Sequence, residues 1–158
     1  MGTVARHDLR RARFVIAVDT NILVYAHRSE MPLYAAASRH ITALAESSSS
    51  WAIPWACVHE FYNIVTNPRV FKPPSTVPQA VAQISHWLDA PSLVLLHEGA
   101  AHWATLQALI RSARIVGGQV HDARIAAICI EHGVRELWSA DRDFSRFPAL
   151  KVRNPLVG

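Results

Sequence analysis

Lysine is nearly missing from this 158-residue chain: Lys72 and Lys151 are the whole supply. Positive charge therefore rests on arginine, whose planar fork donates two hydrogen bonds at once and suits phosphate. Cysteine is scarce as well. Cys57 and Cys129 both lie in apolar, helix-like runs. That setting excludes a disulfide scaffold and reads as two buried thiols in a reducing, cytoplasmic compartment. Paired cysteines and the His-x-x-x-His pair of a zinc protease are absent, so the nine histidines define no zinc site. No apolar run approaches membrane-spanning length, and no membrane association is expected. The segment 1–13 lacks the apolar centre of a secretory signal. It reads as a basic N-terminal extension ahead of one domain over 14–158. No internal repeat is present.

What the chain does contain is a core. A hydrophobic share of 51% against 18% charged fits a globular interior and excludes a disordered chain. The net charge of +4 is compatible with a polyanionic partner, although compositional bias explains it equally well by itself. Patterning predicts strands at 14–18, 51–53, 93–96 and 137–138, with a fifth at 151–153. It predicts helices over 21–27, 33–45, a run from Trp55 to Val65, 78–88, 98–112 and 120–132. Pro54 is read as a first helical position. Gly133 is read as a C-terminal stop. The proline-rich stretch 69–78 reads as an exposed loop. Strands alternating with helices imply an α/β domain with a mainly parallel sheet of four or five strands.

Four carboxylates stand where a fold has little use for them: Asp19 after the first strand, Glu60 within the third helix, Asp122 at the start of the last helix, and Asp141 after the fourth strand. A charge at the edge of an apolar element is costly unless it is paired or holds a cation. In parallel α/β sheets the crevice lies beyond the carboxyl ends of the strands, where Asp19 and Asp141 belong. Each acid has a plain structural alternative. Asp19, Thr20 and Asn21 are good helix caps. Glu60 is a good helix former. Asp122 suits a helix N-terminus, and Asp141 with Asp143 suits a turn. If the four meet, a hard divalent metal relieves their repulsion most simply, with Asp143 as an outer ligand.

The segments Val18-Asp19-Thr20-Asn21-Ile22-Leu23-Val24-Tyr25, Val58-His59-Glu60-Phe61, His121-Asp122-Ala123-Arg124-Ile125-Ala126-Ala127 and Ser139-Ala140-Asp141-Arg142-Asp143-Phe144, in that order, resemble the PIN-domain family. More narrowly they resemble the VapC-type toxins of type II toxin–antitoxin systems. The chain departs from the family in its longer basic start and its proline-heavy 69–78 loop. The resemblance implies a three-layer α/β/α sandwich and magnesium-dependent endoribonuclease activity, with manganese as a substitute ion. It implies catalytic residues Asp19, Glu60, Asp122 and Asp141, with metal held by Asp19, Asp122, Asp141 and Asp143. The expected chemistry is attack of metal-activated water on an RNA phosphodiester, leaving a 5′-phosphate and a 3′-hydroxyl. Thr20, Asn21, Ser139, Arg28, Arg124 and Arg142 are the expected substrate contacts. Tyr25 or Tyr62 is a candidate for stacking on a base. The family further implies a cognate antitoxin, seated in an apolar groove between the second and fourth helices, and a toxin homodimer. Two other readings stay open: a PIN-fold nuclease of RNA maturation or decay without an antitoxin, and a non-catalytic RNA-binding module.

Overall fold

Short apolar runs make the first three strands of the sheet, because a strand covered on both faces needs no polar alternation. The computed structural model describes residues 15–157. Five strands pair in parallel: β1 (Ile16–Val18), β2 (Trp51–Pro54), β3 (Leu93–Leu96), β4 (Glu136–Trp138) and β5 (Val152–Arg153). Their order across the sheet is β3-β2-β1-β4-β5. Ala17 faces Ala52 on one side and Leu137 on the other, all three fully buried. The basic segment 1–13 and Phe14 lie outside the described residues.

Six α-helices complete an α/β/α sandwich: α1 (Thr20–His27), α2 (Tyr34–Glu46), α3 (Trp55–Val65), α4 (Val77–Leu88), α5 (His102–Ala113) and α6 (Val120–Glu131). They pack as two groups. Helix α1 rests on α2 and α3, and α3 on α4, while α5 rests on α6. Phe61 anchors the first group, with its ring fully buried and edge-on to Trp87 at 4.9 Å and to His27 at 5.3 Å. Among the described residues no helix is long and apolar enough to cross a membrane.

Some boundaries differ from expectation. Pro54 ends β2 and caps α3 instead of opening the helix, since a strand's last residue can spare its N–H. The inward face of α3 is Cys57, Val58, Phe61 and Val65, while Trp55 and Tyr62 are half-buried. Helix α4 starts at Val77 because Thr76 and Gln79 form a reciprocal cap, Thr76 Oγ1 accepting from Gln79 N and Gln79 Oε1 from Thr76 N. Helix α5 starts at His102, not at Glu98, which lies before Gly99 in the preceding turn and pairs with Arg124.

The strand order sets the location of a crevice. From β1 the chain moves outward through β2 to β3, then returns to the other side of β1 with β4 and β5. The sheet reverses between β1 and β4, and a ligand crevice forms beyond the carboxyl ends of strands at such a reversal.

Candidate active site

Asp19 is the first residue past β1, and its N–H donates to Trp138 O at 2.9 Å. It occupies the cap position of α1, yet its side chain makes no capping bond. The carboxylate is held elsewhere. Oδ2 accepts from the Ser139 hydroxyl at 2.7 Å, and Oδ1 accepts from the Cys57 thiol at 3.6 Å. Burial pushes the Cys57 thiol up, so it stays protonated and donates. Ser139 Oγ also accepts from Asp141 N–H at 3.0 Å, so one hydroxyl ties the two strand-end acids together. Thr20 donates to Glu60 Oε2 at 3.2 Å, tying α1 to α3. Asn21 Oδ1 accepts from Ala140 N–H at 3.1 Å, tying α1 to the turn after β4.

The remaining acids arrive from two elements. Asp122 sits in the first turn of α6, half-buried. Asp141 caps the 3-10 turn Arg142–Arg146 through Asp143 N–H at 2.8 Å. Asp143 is exposed, with Arg146 at 3.9 Å. One carboxylate oxygen from each of Asp122, Asp141 and Asp143 lies within 4.8 Å of the others. Asp19, Glu60, Asp122 and Asp141 all line one cavity of about 260 Å³. Its remaining wall is largely apolar, with Tyr25, Met31, Ile64, Val70 and Phe71. Glu60 stands on an exposed face of α3 and lines the cavity.

Two of these carboxyls are abnormal. Burial raises Asp19 to about 6, with Glu60 adding to the shift and Ser139, Thr20 and Cys57 opposing it through hydrogen bonds. Burial also raises Asp122 to about 6, followed by repulsion from Asp141, Glu60 and Asp143, with Arg146 opposing. Among the described residues no salt bridge reaches Asp19, Glu60, Asp122 or Asp141. The donors are all oxygen and crowd together, and Asp122 and Asp141 have no salt-bridge partner among the described residues, which suits a hard divalent ion such as Mg²⁺ or Mn²⁺.

The expected arginine contacts divide. Arg28 is committed internally: it bonds Glu30, Ser75 Oγ and Pro73 O, and its guanidinium lies over the Phe71 ring at 4.3 Å. It therefore braces a loop and does not line the acidic cavity. Arg124 is paired with Glu98 and lines a neighbouring groove with His59, Asn63 and His121. Arg142 is exposed in the turn after Asp141. Tyr62 is not on the cavity wall, whereas Tyr25 is. His102 lies apart, facing Glu131 at 3.4 Å. Sequence reasoning missed Met31, Val70 and Phe71, which come from irregular segments without periodicity. It also missed the Cys57 contact, which depends on α3 lying against the end of β1.

Fold and site together define an α/β protein with an all-oxygen acidic crevice at the reversal of its sheet. Residues 16–150 match the PIN domain, and the chain belongs to the PIN-domain family. Ribonuclease VapC43 of Mycobacterium tuberculosis is 34% identical over 144 residues, spanning 91% of this chain and 97% of that protein. Two solved structures share the fold. VapBC2 from Rickettsia felis, bound to a DNA fragment from its promoter, aligns with a TM-score of 0.66 at 21% identity, over 89% of this chain and 98% of that one. VapC20 from Mycobacterium tuberculosis, a Sarcin-Ricin loop cleaving toxin, aligns with a TM-score of 0.60 at 20% identity, over 82% and 92% of the two chains.

Proposed function

We propose that this chain is a magnesium-dependent endoribonuclease, the toxin of a type II toxin–antitoxin pair. The observation that carries the reading is the meeting of Asp122, Asp141 and Asp143 oxygens within 4.8 Å, in front of a cavity that also holds Asp19 and Glu60. A protein that only bound RNA gains nothing from gathering negative charge there. The relative VapC43 is named a ribonuclease and spans nearly the same length. Asp19, Asp122 and Asp141 would hold Mg²⁺ or Mn²⁺, with Asp143 as an outer ligand. Such an ion, when bound, supplies Lewis-acid polarisation of a phosphoryl oxygen and of water. Ser139 and Cys57 fix the Asp19 carboxylate, so no side-chain rotation is needed when substrate arrives. Glu60 has Oε2 occupied by Thr20, and its other oxygen accepts the proton of the attacking water. Attack at phosphorus breaks the bond to the 3′ oxygen and leaves a 3′-hydroxyl and a 5′-phosphate. Arg124 and Arg142 hold flanking phosphates of single-stranded RNA.

The cognate antitoxin docks in the groove between α2 and α4, a cavity of about 440 Å³. Its lining mixes Ile41 and Trp87 with Ser38, Gln83 and His86, so it is less apolar than expected and calls for an amphipathic partner segment. The toxin acts as a cytoplasmic homodimer. The test is cleavage of RNA by purified protein with and without Mg²⁺. Asp122→Asn is expected to lower the rate by roughly 100-fold or more while the thermal melt stays cooperative. A full rate in that variant, or equal cleavage in excess chelator, removes the proposal.

A further inference from the structure

The acidic cavity has two chemically opposed halves. Four of its lining side chains are carboxylates, and the rest of its lining includes Tyr25, Met31, Ile64, Val70 and Phe71. Apolar side chains contribute nothing to holding a hydrated cation or a phosphate. They do suit the face of an unpaired nucleobase, which stacks on aromatic and apolar surfaces without regard to sequence. Asn21 lies at the join. Its carbonyl oxygen is taken by Ala140 N–H, which leaves the amide NH₂ as a donor. A nucleobase is a neutral heterocycle with acceptor atoms on its edge, and this lining offers it a donor beside an apolar wall.

The wall is built to hold its shape. Val70 and Phe71 belong to the loop 66–76 between α3 and α4. Phe71 N–H donates to Asn67 O at 3.1 Å, and Arg28 covers the ring. Further along, Arg28 Nη2 donates to Pro73 O at 2.9 Å, and Ser75 Oγ is bonded by both Arg28 and His27. Ser75 N–H donates to Val65 O at 2.7 Å, tying the loop to the end of α3. A loop with this many anchors presents Phe71 at a fixed position.

Resting on the nuclease reading above, we propose that this wall is a base subsite. It takes the unpaired nucleobase directly flanking the scissile phosphate of a single-stranded RNA, and Phe71 and Tyr25 are its specificity-determining aromatic contacts. The site thereby selects unstacked nucleotides, since a base still in a duplex stack cannot enter the cavity.

The test uses the full chain and a single-stranded RNA oligonucleotide cut at one phosphodiester, with an abasic nucleotide placed on either side of it. Removing the base on one side is expected to lower kcat/KM about tenfold. Phe71→Ala is expected to lower it similarly on the intact oligonucleotide. Combined, the two losses should not exceed the larger single loss, because both remove the same contact. Val70→Ser, at a surface position 53% exposed, probes the wall where the fold is not at stake. Losses that multiply, or no loss at either flank, overturn the base subsite and leave the nuclease reading standing. A second readout needs no cleavage. Asp122→Asn protein is mixed with the oligonucleotide carrying 2-aminopurine at the flank. Quenching that disappears when Phe71→Ala is added supports the subsite even if no RNA is ever cut. Neither cleavage nor quenching by any form overturns both readings together.

Discussion

Asp19 is a carboxylate that the fold holds at an electrostatic cost. Its carboxyl titrates near 6, above the ordinary carboxylate value, because burial outweighs its hydrogen bonds. The folded protein therefore holds this proton more tightly than the unfolded chain does. Below the ordinary carboxylate range both states are protonated and stability is full. As pH rises through the window up to about 6, the folded state must ionise a buried group and stability falls. Asp122 acts in the same direction, but water at its half-exposed carboxyl screens it. The metal-free protein is expected to melt higher at pH 5 than at pH 7.5, by a difference of roughly 2 kcal/mol. Added Mg²⁺ should raise the melting temperature at pH 7.5 more than at pH 5, since binding requires the ionised acids. Scanning fluorimetry at the two pH values, with and without the ion, reads both effects. Flat melting across that range would contradict the assigned burial of Asp19. Ser139→Ala removes the hydroxyl shared by Asp19 and Asp141. It should destabilise by about 1–2 kcal/mol and slow RNA cleavage more than it changes RNA binding. Cleavage and filter-binding assays separate the two.

Among elements, the loop 66–76 and helix α4 carry the predictions that distinguish bracing from catalysis. Arg28→Ala strips three contacts from the loop and should make it the first site of limited proteolysis, while α1 itself remains folded. Unchanged digestion would show that Arg28 braces nothing. Thr76→Ala removes one half of the reciprocal cap on α4 and should cost about 1 kcal/mol in urea unfolding. That cap was legible in the order Thr76-Val77-Pro78-Gln79, but the conspicuous Pro78 drew the helix start one residue too late. At α3 proline misled in the opposite direction: Pro54, read as the first helical position, is the cap one residue before the helix. Gly133 was read correctly as a stop, and it adopts the left-handed conformation, φ +63°, that glycine tolerates. Arg114 adopts a similar conformation, φ +53°, at the end of α5, and nothing in its side chain announces that. Phe71 and Val70 were illegible for another reason. A loop has no period, so which of its side chains turns into a cavity depends on where Arg28 and Ser75 pin it.

At the level of the whole molecule, the alternation of strands and helices could be read along the chain because β1, β2 and β3 are short apolar runs. The acids were legible as charges at strand ends, but their meeting depends on pairings that no local pattern encodes. Asp19 and Asp141 lie side by side only because β4 pairs with β1 across more than a hundred residues. Phe61 holds the α1, α3 and α4 side of that arrangement. Phe61→Ala should cost about 3–5 kcal/mol and lower RNA cleavage only in proportion to the unfolded fraction. Denaturant titration and activity measured on the same samples check this. The central place of β1 has a consequence for how the protein is made. Its second neighbour, β4, follows β2 and β3 along the chain, so a nascent chain holds an incomplete set of acids until Asp141 has been made. A polypeptide interrupted before residue 136 carries the apolar wall and three of the four carboxylates lining the cavity, yet lacks Asp141 and the Trp138 and Ser139 groups that hold Asp19 in place. The acidic set is complete only after every strand from β1 to β4 has been made.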